Sequence, residues 1–128
     1  MVAVRTSPGA AGNVVANLRA LGVGVSCLTV VGNDGEGYVL LRELRGRGAN
    51  TDAVVQAPQR MTPTYTKPMM HELDGRVHEL SRLDTKNRSP LPSELEAAVI
   101  RRLRALVPGV NGIVIADQVQ ERNYGVVT

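Results

Sequence analysis

Val25-Ser26-Cys27-Leu28-Thr29-Val30-Val31-Gly32-Asn33-Asp34-Gly35-Glu36-Gly37 is the stretch on which the fold turns. Val25–Val31 is an apolar run with several β-branched residues, the pattern of a strand buried on both faces of a parallel sheet. Gly32–Gly37 is a glycine-rich turn, and Val39–Arg47 then reads as a helix. Leu40, Leu41 and Leu44 point inward along it, and Gly48 stops it. Ala53–Ala57 is a short strand candidate, which makes the whole segment strand, helix, strand.

The same alternation continues in both directions. Pro8–Gly12 is a loop of small residues. Val14, Leu18 and Leu21 come after it at helical spacing, which predicts a helix over Asn13–Leu21 closed by Gly22. On the other side, Thr64–Leu73 and Arg76–Leu83 are strand candidates around Asp74-Gly75, a two-residue hairpin signal. Asp84–Pro92 reads as a polar loop. Ser93 with Glu96 forms a capping-box pattern, and Leu95, Ala98, Val99, Arg102, Leu103 and Leu106 mark a third helix that Pro108-Gly109 ends. Ile113–Ala116 has the pattern of another short buried strand. The order helix, strand, helix, strand, hairpin, helix, strand predicts an α/β parallel sheet with the hairpin as an excursion from it. The core is expected over about 8–57 and 93–128, and the hairpin over about 62–84.

Composition removes several classes. The 128 residues are 43% hydrophobic and 21% charged, which is ordinary for a folded domain and excludes wholesale disorder. No apolar run approaches a membrane span, and the start Met-Val-Ala-Val-Arg has no leader pattern. The single Cys27 excludes an internal disulfide and a cysteine zinc site, so the expected setting is cytoplasmic. The net charge is +3, but the basic residues are scattered and only Tyr38, Tyr65 and Tyr124 are aromatic. Neither a nucleic-acid nor a membrane partner is expected. No obvious core strand precedes the first loop–helix unit. About eleven residues come after the last strand, where a βαβ unit takes roughly 30. The sequence therefore reads as an internal portion of a larger domain, a single partial unit over 1–128.

Two segments carry candidate chemistry. In Gly9-Ala10-Ala11-Gly12-Asn13, small residues admit a ligand to the backbone, the helix start offers free N–H groups, and Asn13 can donate and accept. That suits a polyol such as a sugar. The alternative is a tight loop whose Asn13 caps its own helix. In the hairpin, a two-residue turn sets Leu73 opposite Arg76, His71 opposite His78, Met69 opposite Leu80, Lys67 opposite Arg82 and Tyr65 opposite Asp84. Lys67 and Arg82 facing each other call for an anion between them. The alternative pairs Arg82 with Asp84 and leaves Lys67 solvated. The histidines read as a solvated pair rather than half a metal site. Asp34 reads as a turn residue bonding its own backbone. Asp117, at the carboxyl end of a strand, stands where open α/β sheets bind ligands, or else caps a helix after it. Cys27 reads as an inert core thiol.

Pro8-Gly9-Ala10-Ala11-Gly12-Asn13-Val14 resembles the Pro-Gly-Gly-Ala-Ala-Asn-Val segment of ribokinase-like (PfkB-family) sugar kinases. Leu21-Gly22, Val31–Gly37 and Leu44–Asp52 resemble, in the right order, that family's Leu-Gly, Val-Gly-x-Asp-x-x-Gly and Leu-x-x-x-Gly-Val-Asp-Thr stretches. Thr64-Tyr65-Thr66-Lys67 and Arg82-Leu83-Asp84 resemble the lid strands of its heptose-phosphate branch. The resemblance implies a partial ribokinase-like three-layer α/β sheet with a β-hairpin lid. It also implies a carbohydrate kinase that moves the ATP γ-phosphoryl to a hydroxyl of a sugar or sugar phosphate. Gly9, Ala10 and Asn13 would hold sugar hydroxyls, Lys67 and Arg82 would close over the substrate or its phosphate, and Asp117 would lie near the sugar. A homodimer through the lid is also implied.

The departures are Ala10 for the family's second glycine and Gly12 for its usual alanine. The family's first core strand, its Gly-Ala-Gly-Asp motif and its nucleotide-binding half have no counterpart here, and no Walker-type loop replaces them. ATP and Mg2+ would bind in that other half. No cofactor or metal ligand is assignable on this chain, and no catalysis is expected of it in isolation. The alternative reading is a non-catalytic, truncated sugar-binding or dimerising module.

Overall fold

A computed structural model describes residues 3–128. Helix α1 spans Gly9–Ala20, strand β1 Val30–Gly32, helix α2 Gly35–Gly46 and strand β2 Val55–Ala57. The excursion holds β3 (Thr64–Thr66), β4 (Met69–His71), β5 (Val77–Glu79) and β6 (Leu83–Thr85). Helix α3 spans Ser93–Leu106 and tightens into a 3-10 turn over Val107–Gly109.

β1 and β2 are parallel, with Val30 opposite Val55 and Gly32 opposite Ala57, joined by α2 as a βαβ crossover. Strand alternation splits their side chains between two layers. Val55 and Ala57, with Val30 and Leu28 beside them, pack with Leu91, Leu95 and Val99 around α3. Val31 and Val54 pack on Leu41 of α2, with Leu40 and Cys27 against them. The fold is α/β, and the sheet lies between α2 and α3, as expected.

Several boundaries differ, each for a local reason. The first helix begins at Gly9, not Asn13. Gly9 takes φ +68°, a left-handed turn open to glycine, and the alanines after it propagate the helix. Asn13 therefore lies inside the helix and caps nothing. Val25–Val31 is not one continuous strand. Ser26 pairs with Asn50 as an isolated parallel bridge, and the ladder resumes only at Val30. The opposite segment turns in between, with Val54 N donating to Thr51 O (3.0 Å) and Asp52 N to the Asn50 side chain (2.7 Å). α2 begins at Gly35, because Asp34 already caps it. The capping box at Ser93 does not form: Pro92 occupies the cap position, and Glu96 instead accepts from the Thr128 hydroxyl at 2.6 Å. β6 extends into the expected Asp84–Pro92 loop.

Ile113–Ala116 forms no strand, and Ile115 is 74% exposed. Apolar composition signals a tendency to be buried but supplies no ladder partner. Here a cavity of about 200 Å3, lined by Val30, Val31, Ala116 and Asp117 among others, separates this segment's end from β1.

The hairpin departs from expectation twice by one residue, and the two departures cancel. Its turn is a three-residue loop, Leu73-Asp74-Gly75. Gly75 sits at φ +87° and donates to Glu72 O (3.1 Å), while Glu72 N donates to Arg76 O (2.9 Å). This is a type I turn closed by a glycine bulge. Consequently Met69 faces Glu79, Met70 faces His78 and His71 faces Val77. The predicted pairs His71–His78 and Met69–Leu80 are thus corrected. Further out, Lys67 and Pro68 span the gap on one strand, while Leu80, Ser81 and Arg82 span it on the other. Pro68 has no N–H to continue a ladder, so the opposite strand bulges there. The bulge restores the predicted register, with Tyr65 facing Asp84.

Candidate functional site

The start of α1 carries the first candidate group. Pro8 at its N-cap makes no side-chain cap bond, and Gly9, Ala10 and Asn13 are all exposed. Among the described residues the Asn13 amide has no protein partner, so its donor and acceptor are available. The exchange of glycine and alanine relative to the resembled motif has a steric reason at one end. Gly12 is buried, and a Cβ there would collide with the Pro8 ring. Glycine is therefore required at 12, while Ala10 faces open solvent.

The hairpin strands carry the second group. Lys67 Nζ lies 3.4 Å from Glu79. Arg82 makes a bidentate pair with Asp84 (2.6 and 2.8 Å) and stacks over the Tyr65 ring at 4.6 Å. Hydrogen bonding to Arg82 holds the Asp84 carboxyl below its ordinary range, and Asp84 in turn raises Arg82. Lys67 and Arg82 lie in the bulged stretch next to the restored register, and each is paired with a carboxylate. His78 lies 3.8 Å from Glu72, and His71 is apart from it.

Asp117 is exposed and accepts from Val119 N at 3.1 Å, a local turn bond. It lines the cavity of about 200 Å3 together with Arg60, Thr62 and Tyr124. Gly9, Ala10, Asn13, Lys67 and Arg82 are not among that cavity's lining residues. Cys27 is half-buried against the Val31–Leu41 cluster, and burial pushes its thiol up.

The polar residues that organise this end of the sheet were not all legible. Asp34 does cap α2, accepting from Gly37 N (2.7 Å), but it also accepts from Thr62 N (2.8 Å) and the Thr62 hydroxyl (2.7 Å). Desolvation pushes the Asp34 carboxyl up. The bonds from Thr62 and Gly37 outweigh it, and the net position is below the ordinary carboxylate range. Arg60 is 6% exposed and has no carboxylate partner among the described residues. It donates to the carbonyls of Ser89 (2.9 Å), Pro90 (3.2 Å) and Tyr124 (2.7 Å), and desolvation lowers its pKa. The Gly32-x-Asp34 spacing is the only sequence signal for this cluster. Nothing local marks Arg60 or Thr62. Among the described residues, no three carboxylate, imidazole or thiol groups converge.

Residues 3–81 match the pfkB family carbohydrate kinase. The chain belongs to that family. Among curated relatives, the bifunctional protein HldE of Geobacter metallireducens is 35% identical over 109 residues, covering 85% of this chain and 21% of that protein. The HldE of Pelobacter propionicus gives the same identity over the same length and coverage. The chain thus spans about one fifth of the length of the curated relatives it matches. Among solved structures, an uncharacterized sugar kinase from Pyrococcus horikoshii in complex with ATP is 26% identical. It superposes with a TM-score of 0.44 over 56% of this chain and 24% of that one. The PfkB match includes α1, the parallel pair, and the hairpin as far as the bulge.

Proposed function

We propose that this chain supplies the sugar-binding loop and the lid of an ATP-dependent kinase for a sugar or sugar phosphate, of the heptose-phosphate type. The observation that carries the reading is the exposed, uncapped start of α1. Free helix N–H groups stand beside an Asn13 amide with no protein partner among the described residues. Gly9, Ala10 and Asn13 hold sugar hydroxyls there. The hairpin closes over the sugar and excludes water. Lys67 and Arg82 contribute by exchanging Glu79 and Asp84 for the substrate's phosphate. Asp117 contributes from the cavity at the end of the sheet. ATP and Mg2+ act outside the residues described here.

The test is calorimetric titration of the protein with a heptose phosphate, the parent sugar and inorganic phosphate. Sugar-phosphate binding that weakens about tenfold in Asn13→Ala supports the reading. No binding of the sugar or its phosphate overturns it. ATP turnover by this chain alone overturns the placement of the ATP site outside it. The exposed Met69, Val77, Leu80 and Leu83 of the hairpin support pairing with a second copy through the lid. A monomer at high concentration in sedimentation velocity overturns that pairing.

A further inference from the structure

We propose that Asp34 is the positioning residue of the lid, clamping its root to the junction of β1 and α2. The inference rests on reading the hairpin as a lid, but the joint itself is visible without it. Thr62 is the last buried residue before β3, only 4% exposed, and Pro63 beyond it is exposed. Every polar group of Thr62 that faces the core is used. Its N–H goes to Asp34 Oδ2 (2.8 Å) and its hydroxyl to Asp34 Oδ1 (2.7 Å), while its hydroxyl oxygen accepts from Gly32 N (2.9 Å). The other root is tied to the neighbouring residue: Met61 N donates to Asn87 Oδ1 (3.0 Å), and Asn87 Nδ2 donates to Met61 O (2.9 Å). One strand of the excursion is thus held by the carboxylate directly, and the other is tied to Met61, next to the clamped Thr62, while Arg60 donates to the Ser89 and Pro90 carbonyls beyond it.

The space around the joint is closed. A Cβ on Gly32 would lie 2.7 Å from Arg60 O, and one on Gly37 would lie 2.5 Å from Gly32 O and 2.9 Å from the Thr62 hydroxyl. A helix cap needs one acceptor for one N–H. Asp34 uses both oxygens, and two of its three bonds leave the helix for a residue 28 positions away. The Gly-x-Asp-x-x-Gly spacing thus serves two purposes: it starts α2 and seats the lid.

Two variants separate the cap from the joint. Asparagine caps a helix as well as aspartate does. In Asp34→Asn, however, the second atom is an NH2 donor that cannot accept from the Thr62 N–H. Thr62→Val removes the hydroxyl and leaves the Asp34 cap intact. Spin labels on Leu73→Cys at the lid tip and Arg42→Cys on α2, in a Cys27→Ala background of the whole chain, report the lid's position as a distance distribution. With far-UV circular dichroism unchanged, both variants are expected to widen that distribution about twofold, and Thr62→Ser is expected to restore the original width. An original width in both Asp34→Asn and Thr62→Val overturns the joint. If Asp34→Asn loses helix signal, Thr62→Val alone decides by the same criterion. Calorimetry on the unlabelled protein keeps the two ideas apart. Absence of sugar-phosphate binding removes the lid's substrate role, whereas unchanged widths remove the joint.

Discussion

The α/β core and the hairpin are held by different forces. In the core, Val31 and Ala57 are 2% and 1% exposed, and Leu41, Leu44, Leu95 and Val99 are buried around them. Every residue from Met69 to Asp84 is exposed, and Leu73 projects fully into solvent. Antiparallel ladders and a set of short-range ion pairs hold the hairpin together, and it meets the core at a polar joint. Burial makes a structure rigid in all directions, because close-packed side chains resist any displacement. A ladder fixes strands against each other but leaves the pair free to move as a unit. That arrangement moves the burden of positioning onto the few residues at the hairpin's root.

Breaking the core is expected to have the largest effect. Leu41→Ala leaves a void between α2 and β1 and should cost about 2–5 kcal/mol in urea denaturation, with the whole chain unfolding in one transition. Breaking the joint comes next. Thr62→Val leaves the Gly32 N–H unpaired in a buried place and should cost about 1–2 kcal/mol. Acid sharpens the comparison. The folded-state carboxyl of Asp34 lies below its unfolded value, so its contribution is complete above about pH 4 and is lost as pH falls through the folded pKa. Denaturation midpoints measured from pH 6 downward should fall over that window, and less steeply in Asp34→Asn. Glu43, lowered by its bond to Arg47, and Asp84, lowered by Arg82, lie in solvent-screened pairs and add little to that loss. The smallest effects belong to the hairpin surface. Leu73→Ser should change stability by less than about 0.5 kcal/mol. Arg82→Gln should leave the denaturation midpoint unchanged, since its pair with Asp84 is solvated.

Much of the core was legible because its signals are local. The apolar run before Gly32, the inward leucines of α2 and the stop at Gly48 (φ +78°) each lie within a few residues of the feature they encode. The hairpin was legible as a hairpin but not in its pairing. Asp74-Gly75 favours a two-residue turn. The structure instead uses Gly75 as the bulge of a three-residue loop and offsets the shift opposite Pro68. Lys67 and Arg82, the residues of the expected anion site, are each paired with a carboxylate, Glu79 and Asp84. The apolar Ile113–Ile115 segment resembled β1 in composition, yet it lies exposed and unpaired among the described residues. A strand needs a partner with free N–H and C=O groups, and composition does not supply one.

The amino-acid sequence by itself determined the alternation of helices and strands, the α/β class, the hairpin excursion and the kinase-family motif order. These arise from side-chain periodicity, capping residues and glycine placement along neighbouring positions. Tertiary structure alone decided the strand register, the pairing of Lys67 with Glu79 and of Arg82 with Asp84, and the bonds of Asp34 to Thr62. Register depends on a one-residue choice made at two distant points, the glycine loop and the proline bulge. A half-buried carboxylate's second partner depends on which chain segment folds into its reach. For Asp34 that segment lies 28 residues away, a distance over which side-chain patterning carries no information about contact.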